Sequence, residues 1–152
     1  MVSRVGEQVT MRISEKLYAW GHPLITGSHR TTFEVTMAKE VSLRGDCVIA
    51  VAASKGAQGL PSAFKRLARD TRTQITVILK VDELHEQVVG WGHPHLTLSH
   101  AEDLVARTSA FTCPRTIMIR ANKAARDLSR SMIRRLHNPH QRIQLTFIAE
   151  QP

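Results

Sequence analysis

The chain has 152 residues, the length of one ordinary domain, and 21 Lys and Arg against 13 Asp and Glu leave a formal charge of +8. Hydrophobic residues at 42% and charged residues at 22% are globular values and exclude a largely disordered chain. The longest apolar run, Cys47 to Ala53, is far too short to cross a bilayer, no apolar signal segment opens the chain, and two cysteines make no disulfide framework. The expectation is a cytoplasmic protein with no membrane partner, whose charge selects RNA or another phosphate-rich ligand.

In chain order, Trp20-Gly21-His22-Pro23 reads as a turn or loop, because Gly and Pro punctuate it. Thr31 to Thr36 alternates like a half-buried strand, and Cys47 to Val51 is a continuous apolar run suited to a central strand. Between them, Gly45-Asp46 suits a tight corner, with Gly45 at positive φ and Asp46 accepting backbone N–H bonds. Pro61 opens a helix with Ala63, Phe64 and Leu67 on one face, and Ile75 to Val81 is a further strand. The second half repeats the order: strand Arg115 to Ile119, helix Ala124 to Leu136, strand Ile143 to Ile148.

The ten residues from Trp20 to His29 recur from Trp91 to His100 with seven identities, and the match includes both tryptophans. Further on, Lys55, Ala57, Leu60 and Arg66 match Lys123, Ala125, Leu128 and Arg134 at a spacing of 68. This predicts an α+β single domain, residues 1–152, built by tandem duplication of two β-β-α-β units, about 10–83 and 84–150. The units would form a mixed sheet or closed β-barrel with pseudo-twofold symmetry. The Gly45-Asp46 turn and the strand after it add a weaker likeness to cradle-loop barrels, from which the Cys113-Pro114-Arg115 segment departs.

Gly21-His22-Pro23, His29-Arg30-Thr31-Thr32-Phe33-Glu34 and Gly45-Asp46-Cys47 together resemble an archaeal family known as domain of unknown function 371. The likeness continues through Gly92-His93-Pro94, Arg115-Thr116 and Lys123-Ala124-Ala125-Arg126-Asp127-Leu128. The resemblance implies an archaeal cytoplasmic protein and no particular activity.

Two sets of residues carry chemistry. His22, His29, His93 and His100 are repeat-equivalent, and with Glu34 and Asp46 they are the candidates for proton transfer. Their spacing matches no zinc motif, so no metal and no cofactor is expected; turn-fixing bonds to backbone carbonyls are the structural alternative. Lys55 and Lys123 each follow a central strand and precede a helix behind Ser54 and Asn122, natural N-caps, so each suits either a phosphate or a solvated edge. From Arg107 to the C-terminus nine cations face Asp127 and Glu150, which concentrates +7 of the net charge there. Arg126, Arg130 and Arg134 fall on one face of the second helix, and with Lys55, Lys123 and Arg107 they are the expected phosphate or RNA contacts. Trp20 and Trp91 suit core packing better than base stacking, and Cys47 is a small buried hydrophobe.

The leading expectation is RNA binding, in translation or RNA processing. Beside it stand an enzyme with a histidine/lysine site between the repeats, acting on a phosphorylated substrate, and an interaction module of a larger assembly.

Overall fold

The computed structural model describes the backbone of residues 2–5 and 8–152 and the side chains from residue 11 onward. In chain order the strands are β1 (Val2–Val5), β2 (Gln8–Trp20), β3 (Thr32–Thr36), β4 (Val48–Ala50), β5 (Gln74–Val81), β6 (Leu84–Trp91), β7 (Asp103–Arg107), β8 (Thr116–Met118) and β9 (Arg142–Gln151). Helix α1 (Ser62–Ala68) precedes β5 and α2 (Arg130–Arg135) precedes β9. The strands form a five-stranded antiparallel sheet, β1-β2-β9-β5-β6, and a four-stranded sheet, β4-β3-β7-β8. In the smaller sheet β3 and β7 pair antiparallel, while β4 and β8 flank them in parallel.

Alternation fixes which way each strand faces. Leu17 and Ala19 of β2, Ile143, Leu145 and Phe147 of β9, and Ile75, Val77 and Leu79 of β5 turn inward and are fully buried. They meet Phe33 and Val35 of β3, Leu104 and Ala106 of β7, and Phe64 and Leu67 of α1 in one core. The outward positions of the five-stranded sheet are mostly polar or aromatic, with Ile78, Val89 and Ile148 the aliphatic exceptions among the described residues, the pattern of an antiparallel sheet with one face in water.

The two sheets are tied where β2 and β6 end. Trp20 exchanges backbone hydrogen bonds with Val51 at 2.8 Å, and Trp91 with Ile119 at 2.9 and 3.0 Å. Gly21 and Gly92 follow at once, and each turns the chain against a helix end. A Cβ at Gly21 would overlap the carbonyl oxygens of Leu136 and Asn138, and one at Gly92 those of Ala68 and Asp70. This close approach is why glycine follows each tryptophan.

The structure corrects the expected architecture. The chain is mostly β, 38% strand and 13% helix, in two sheets of which neither closes into a barrel. It is therefore not an α+β duplication of two β-β-α-β units forming a mixed sheet or closed barrel under a pseudo-twofold. The segments expected to pair within each unit separate: β3 and β4 join the smaller sheet, whereas β5 of the same half joins the larger. Local contacts recur at the two Trp-Gly-His-Pro motifs, but they do not establish a duplicated fold.

Four strands, β1, β2, β6 and β7, were hidden. β2 and β6 each carry a carboxylate on an otherwise core-facing side: Glu15 accepts from Lys55 at 3.0 Å, and Glu86 from Lys123 at 3.2 Å. β1 and β7 lie in stretches where no strand is expected. The helix expected over Ala124 to Leu136 is broken into a 3-10 turn, Ala125–Asp127, and α2. Asp127 accepts the Ala124 N–H at 2.9 Å, and the Ser129 hydroxyl caps α2 by accepting from Met132 at 3.3 Å, so side-chain bonds to the backbone interrupt the helix. At the expected Gly45-Asp46 corner, Asp46 accepts the Ser28 and His29 N–H groups through its carbonyl, and among the described residues the left-handed glycine is instead Gly27, at φ 55°.

Candidate functional site

The outward face of the five-stranded sheet collects the large amphipathic aromatics. Tyr18, Trp20 and Trp91 are 37%, 39% and 41% exposed, whereas Phe33, Phe64 and Phe147 are fully buried. The chain has two Trp and one Tyr, so every one of them lies exposed on this face. This corrects the expectation that the tryptophans pack in the core. Their placement follows from alternation: Leu17 and Ala19 take the inward positions of β2, leaving Tyr18 and Trp20 outside.

Cations stand between these rings. Trp20 pairs with Arg142 across β2 and β9, Tyr18 with Gln144, and Lys16 with Thr146; Lys80 of β5 pairs with Gln144 from the other side. The Arg142 guanidinium sits over the Tyr18 ring, 4.6 Å from its centroid. Among the described residues Lys16, Lys80 and Arg142 make no salt bridge. Glu150, the outward carboxylate of β9, is 3.6 Å from Arg12. A cleft of about 460 Å³ opens at this corner, lined by Trp20, Lys80, Asp82, His140, Gln141, Arg142 and Gln144. Asp82 at its rim is engaged by Arg135 at 3.4 Å. Exposed rings interleaved with unpaired cations can stack planar groups and neutralise phosphates together.

The phosphate contacts expected from sequence lie elsewhere. Lys55 and Lys123 are held by Glu15 and Glu86. Ser54 and Asn122 do not cap helices; they accept the N–H groups of Tyr18 and Val89 on the neighbouring strands. Arg130 is a structural residue: its guanidinium donates to the carbonyls of Gly27 at 3.0 Å, Ala125 at 2.7 Å and Leu128 at 2.9 Å. Arg126 precedes the helix break and Arg134 follows it, so the stripe is not continuous. Arg107 belongs to the other sheet.

The histidines fix loops, though through acceptance of N–H groups and not through carbonyls. His22 Nδ1 accepts from Leu24 and His93 Nδ1 from His95, both at 3.0 Å. His29 Nδ1 accepts from Thr31 and Thr32 at 3.2 and 3.1 Å, and His100 Nδ1 from Glu102 and Asp103 at 3.2 and 2.9 Å. These bonds assign the ring proton of the neutral form to Nε2. His29 and His100 sit at opposite ends of the β3–β7 ladder, roughly 13 Å apart along it. Among the described residues no group of three or more His, Cys, Asp and Glu converges to hold a metal.

The outward face of the smaller sheet carries a linked ionic cluster. Arg115 bridges Glu34 at 3.4 Å and Asp103 at 3.1 Å, and Thr36 donates to Asp103 at 2.7 Å. Burial, with help from Asp103 and against Arg115 and Arg107, pushes the Glu34 carboxyl up to about 7. Arg107 donates to the Thr116 hydroxyl at 2.8 Å and to the Cys113 sulfur at 3.3 Å. Burial raises the Cys113 thiol, but the Thr116 hydroxyl, the Arg115 backbone N–H and Arg107 outweigh it and bring it down to about 7. Cys47 goes the other way: burial, then Glu34 and Asp46, push its thiol up to about 11. Of the residues singled out from sequence, Glu34 and Arg107 meet here, with Asp46 on the adjoining loop.

Sequence reasoning missed Tyr18, Lys80 and Arg142 on one sheet, and Asp103, Arg115 and Cys113 on the other. The signal for the first group is the period of two in Lys16-Leu17-Tyr18-Ala19-Trp20 and Arg142-Ile143-Gln144-Leu145.

Fold and surface define a predominantly antiparallel β protein with one basic, aromatic sheet face. The chain belongs to the family described as domain of unknown function (DUF371), whose family model matches residues 17–150. It is similar to "Uncharacterized protein MJ0206" of Methanocaldococcus jannaschii, with 36% identity over 118 residues, 78% of this chain and 87% of that protein. Among the described residues no helix is long and apolar enough to cross a membrane.

Proposed function

We propose that the protein binds RNA on the outward face of the five-stranded sheet, with Tyr18 and Trp20 stacking unpaired bases and Lys16, Lys80 and Arg142 neutralising phosphates. The observation that carries this is the exposure of both tryptophans and the tyrosine on one face where Lys16, Lys80 and Arg142 lack carboxylate partners among the described residues, Arg12 alone being paired there, with Glu150. A polar sheet face can be built from Thr, Gln and Lys alone; half-exposed rings beside cations there suit a planar, phosphate-bearing ligand. A cytoplasmic location, and a role in translation or RNA processing, belong to the same proposal.

The test is fluorescence anisotropy of labelled single-stranded RNA across a salt series. Three neutralised phosphates give a slope of log affinity on log salt of about −2. Lys80→Glu with Arg142→Glu reduces both the affinity and the slope while leaving the fold intact, since both side chains are outward. Unchanged affinity in that variant removes this face from the interface.

A second reading is favoured by Glu34 and Cys113, which both titrate near neutral pH beside two arginines. It is an enzyme on the smaller sheet, with Cys113 as nucleophile, Glu34 moving the proton, and Arg107 and Arg115 holding an anionic substrate. Turnover of p-nitrophenyl phosphate or acetate above the buffer rate, lost in Cys113→Ser and Glu34→Gln, supports it. No turnover removes it.

A further inference from the structure

We propose that the Trp91 corner is a second base-stacking subsite, so that a single strand of RNA crosses the sheet face diagonally from Trp20 to Trp91. This rests on the RNA reading above and deepens it by naming a single-stranded ligand long enough to reach both corners. Trp20 ends β2 opposite Arg142, where β9 begins; Trp91 ends β6 opposite Gln74, which pairs in turn with Glu150 near the end of β9. Arg142 and Glu150 are eight residues apart, roughly 27 Å along the strand, and three strand spacings add roughly 14 Å sideways, so the corners lie about 30 Å apart.

Trp91 is built to take a ring. It is 41% exposed and lines two clefts, one of about 340 Å³ with His93 and Arg120 and one of about 380 Å³ with Arg72, Gln74 and Glu150, whose carboxylate is 3.6 Å from Arg12. Arg72 is held by Asp70 at 2.9 Å, whereas Arg120 is exposed and makes no salt bridge among the described residues. An exposed indole lining a cleft that also holds a cation without a salt bridge repeats the arrangement at Trp20, where Lys80 and Arg142 line the cleft. The surface between the corners carries Lys16, Thr146, Ile78 and Thr76, with no carboxylate before Glu150, so a backbone phosphate meets no repulsion until then. Paired bases cannot stack on a flat sheet face because their own helix covers them. The ligand is single-stranded.

Trp20→Phe and Trp91→Phe each leave one tryptophan, so intrinsic fluorescence reports one corner at a time. The probes are uridine oligomers, a trimer too short to join the corners and one of about ten nucleotides. The longer oligomer is expected to quench both reporters at one per chain and to bind about tenfold tighter than the trimer. Trp91→Ala, and independently Arg120→Glu, weaken the longer oligomer about tenfold and leave trimer quenching of Trp20 unchanged. Quenching of Trp20 alone by the longer oligomer, or full affinity in both variants, overturns the second subsite while RNA binding stands. Failure of both oligomers to bind the wild type overturns the RNA reading itself.

Discussion

Arg130 reaches across from α2 to the carbonyl oxygen of Gly27, donating at 3.0 Å, and its other N–H groups donate to Ala125 and Leu128. An arginine whose guanidinium is satisfied by three carbonyls holds a loop and is poorly placed to take a phosphate. Arg130→Ala is expected to leave those carbonyls to water at a cost of about 2 kcal/mol, lowering Tm by about 4–8 °C. RNA affinity of the folded variant stays at the wild-type value. Thermal melts beside anisotropy titrations separate the two effects, and the result is opposite to that expected for Arg142→Glu.

Gly21→Ala and Gly92→Ala are expected to be among the most damaging single methyl additions in the chain. Each Cβ would overlap backbone carbonyl oxygens, which cannot move aside as a flexible side chain can. A loss of about 3 kcal/mol or more in urea unfolding is expected for each. A neutral outcome would mean that the strand ends do not press on the helix termini as described.

Stability should fall with rising pH because of Glu34. Its carboxyl is raised from 4.5 to about 7 in the folded protein. Between those values the folded state keeps a proton that the unfolded chain has released. The contribution is fully present below 4.5 and is lost as pH rises through 7, amounting to at most about 3 kcal/mol. Glu34→Gln removes this slope. Urea midpoints at about pH 5 and about pH 8 check it, with a smaller difference in the variant than in the wild type.

The two thiols should react in a fixed order. Cys113, brought down to about 7, alkylates with iodoacetamide at neutral pH, whereas Cys47, pushed up to about 11, stays protected. Mass mapping after a short pulse is expected to find the label on Cys113. Arg107→Ala slows that labelling at neutral pH by removing the guanidinium 3.3 Å from the sulfur.

Much of the fold is legible where alternation is clean. Thr32–Thr36 and Gln74–Val81 are strands within a residue of their apolar patterns, and Arg142–Gln151 runs three residues past its own. The period fails in β2 and β6, where Glu15 and Glu86 sit on the side expected to be apolar and are matched by lysines about 40 residues away in sequence, Lys55 and Lys123. No local pattern announces such a partner. The split of each half between two sheets is likewise a property of long-range register. For the site, the residue types suggested RNA at positions other than the sheet face proposed above. A helical wheel places Arg126, Arg130 and Arg134 together, whereas the Asp127 and Ser129 bonds to the backbone divide them. Trp20 looks like a core residue until the inward places of β2 are seen to belong to Leu17 and Ala19.

Photocrosslinking locates the proposed RNA surface on the protein. A single-stranded oligomer of about ten nucleotides carrying 4-thiouridine is irradiated with the wild-type protein, and the crosslinked peptides are mapped by mass spectrometry. Crosslinks on the peptides carrying Tyr18, Trp20 and Trp91, lost at raised salt, are the predicted result. Crosslinks confined to the Arg126–Arg134 segment, or none at low salt, would contradict it.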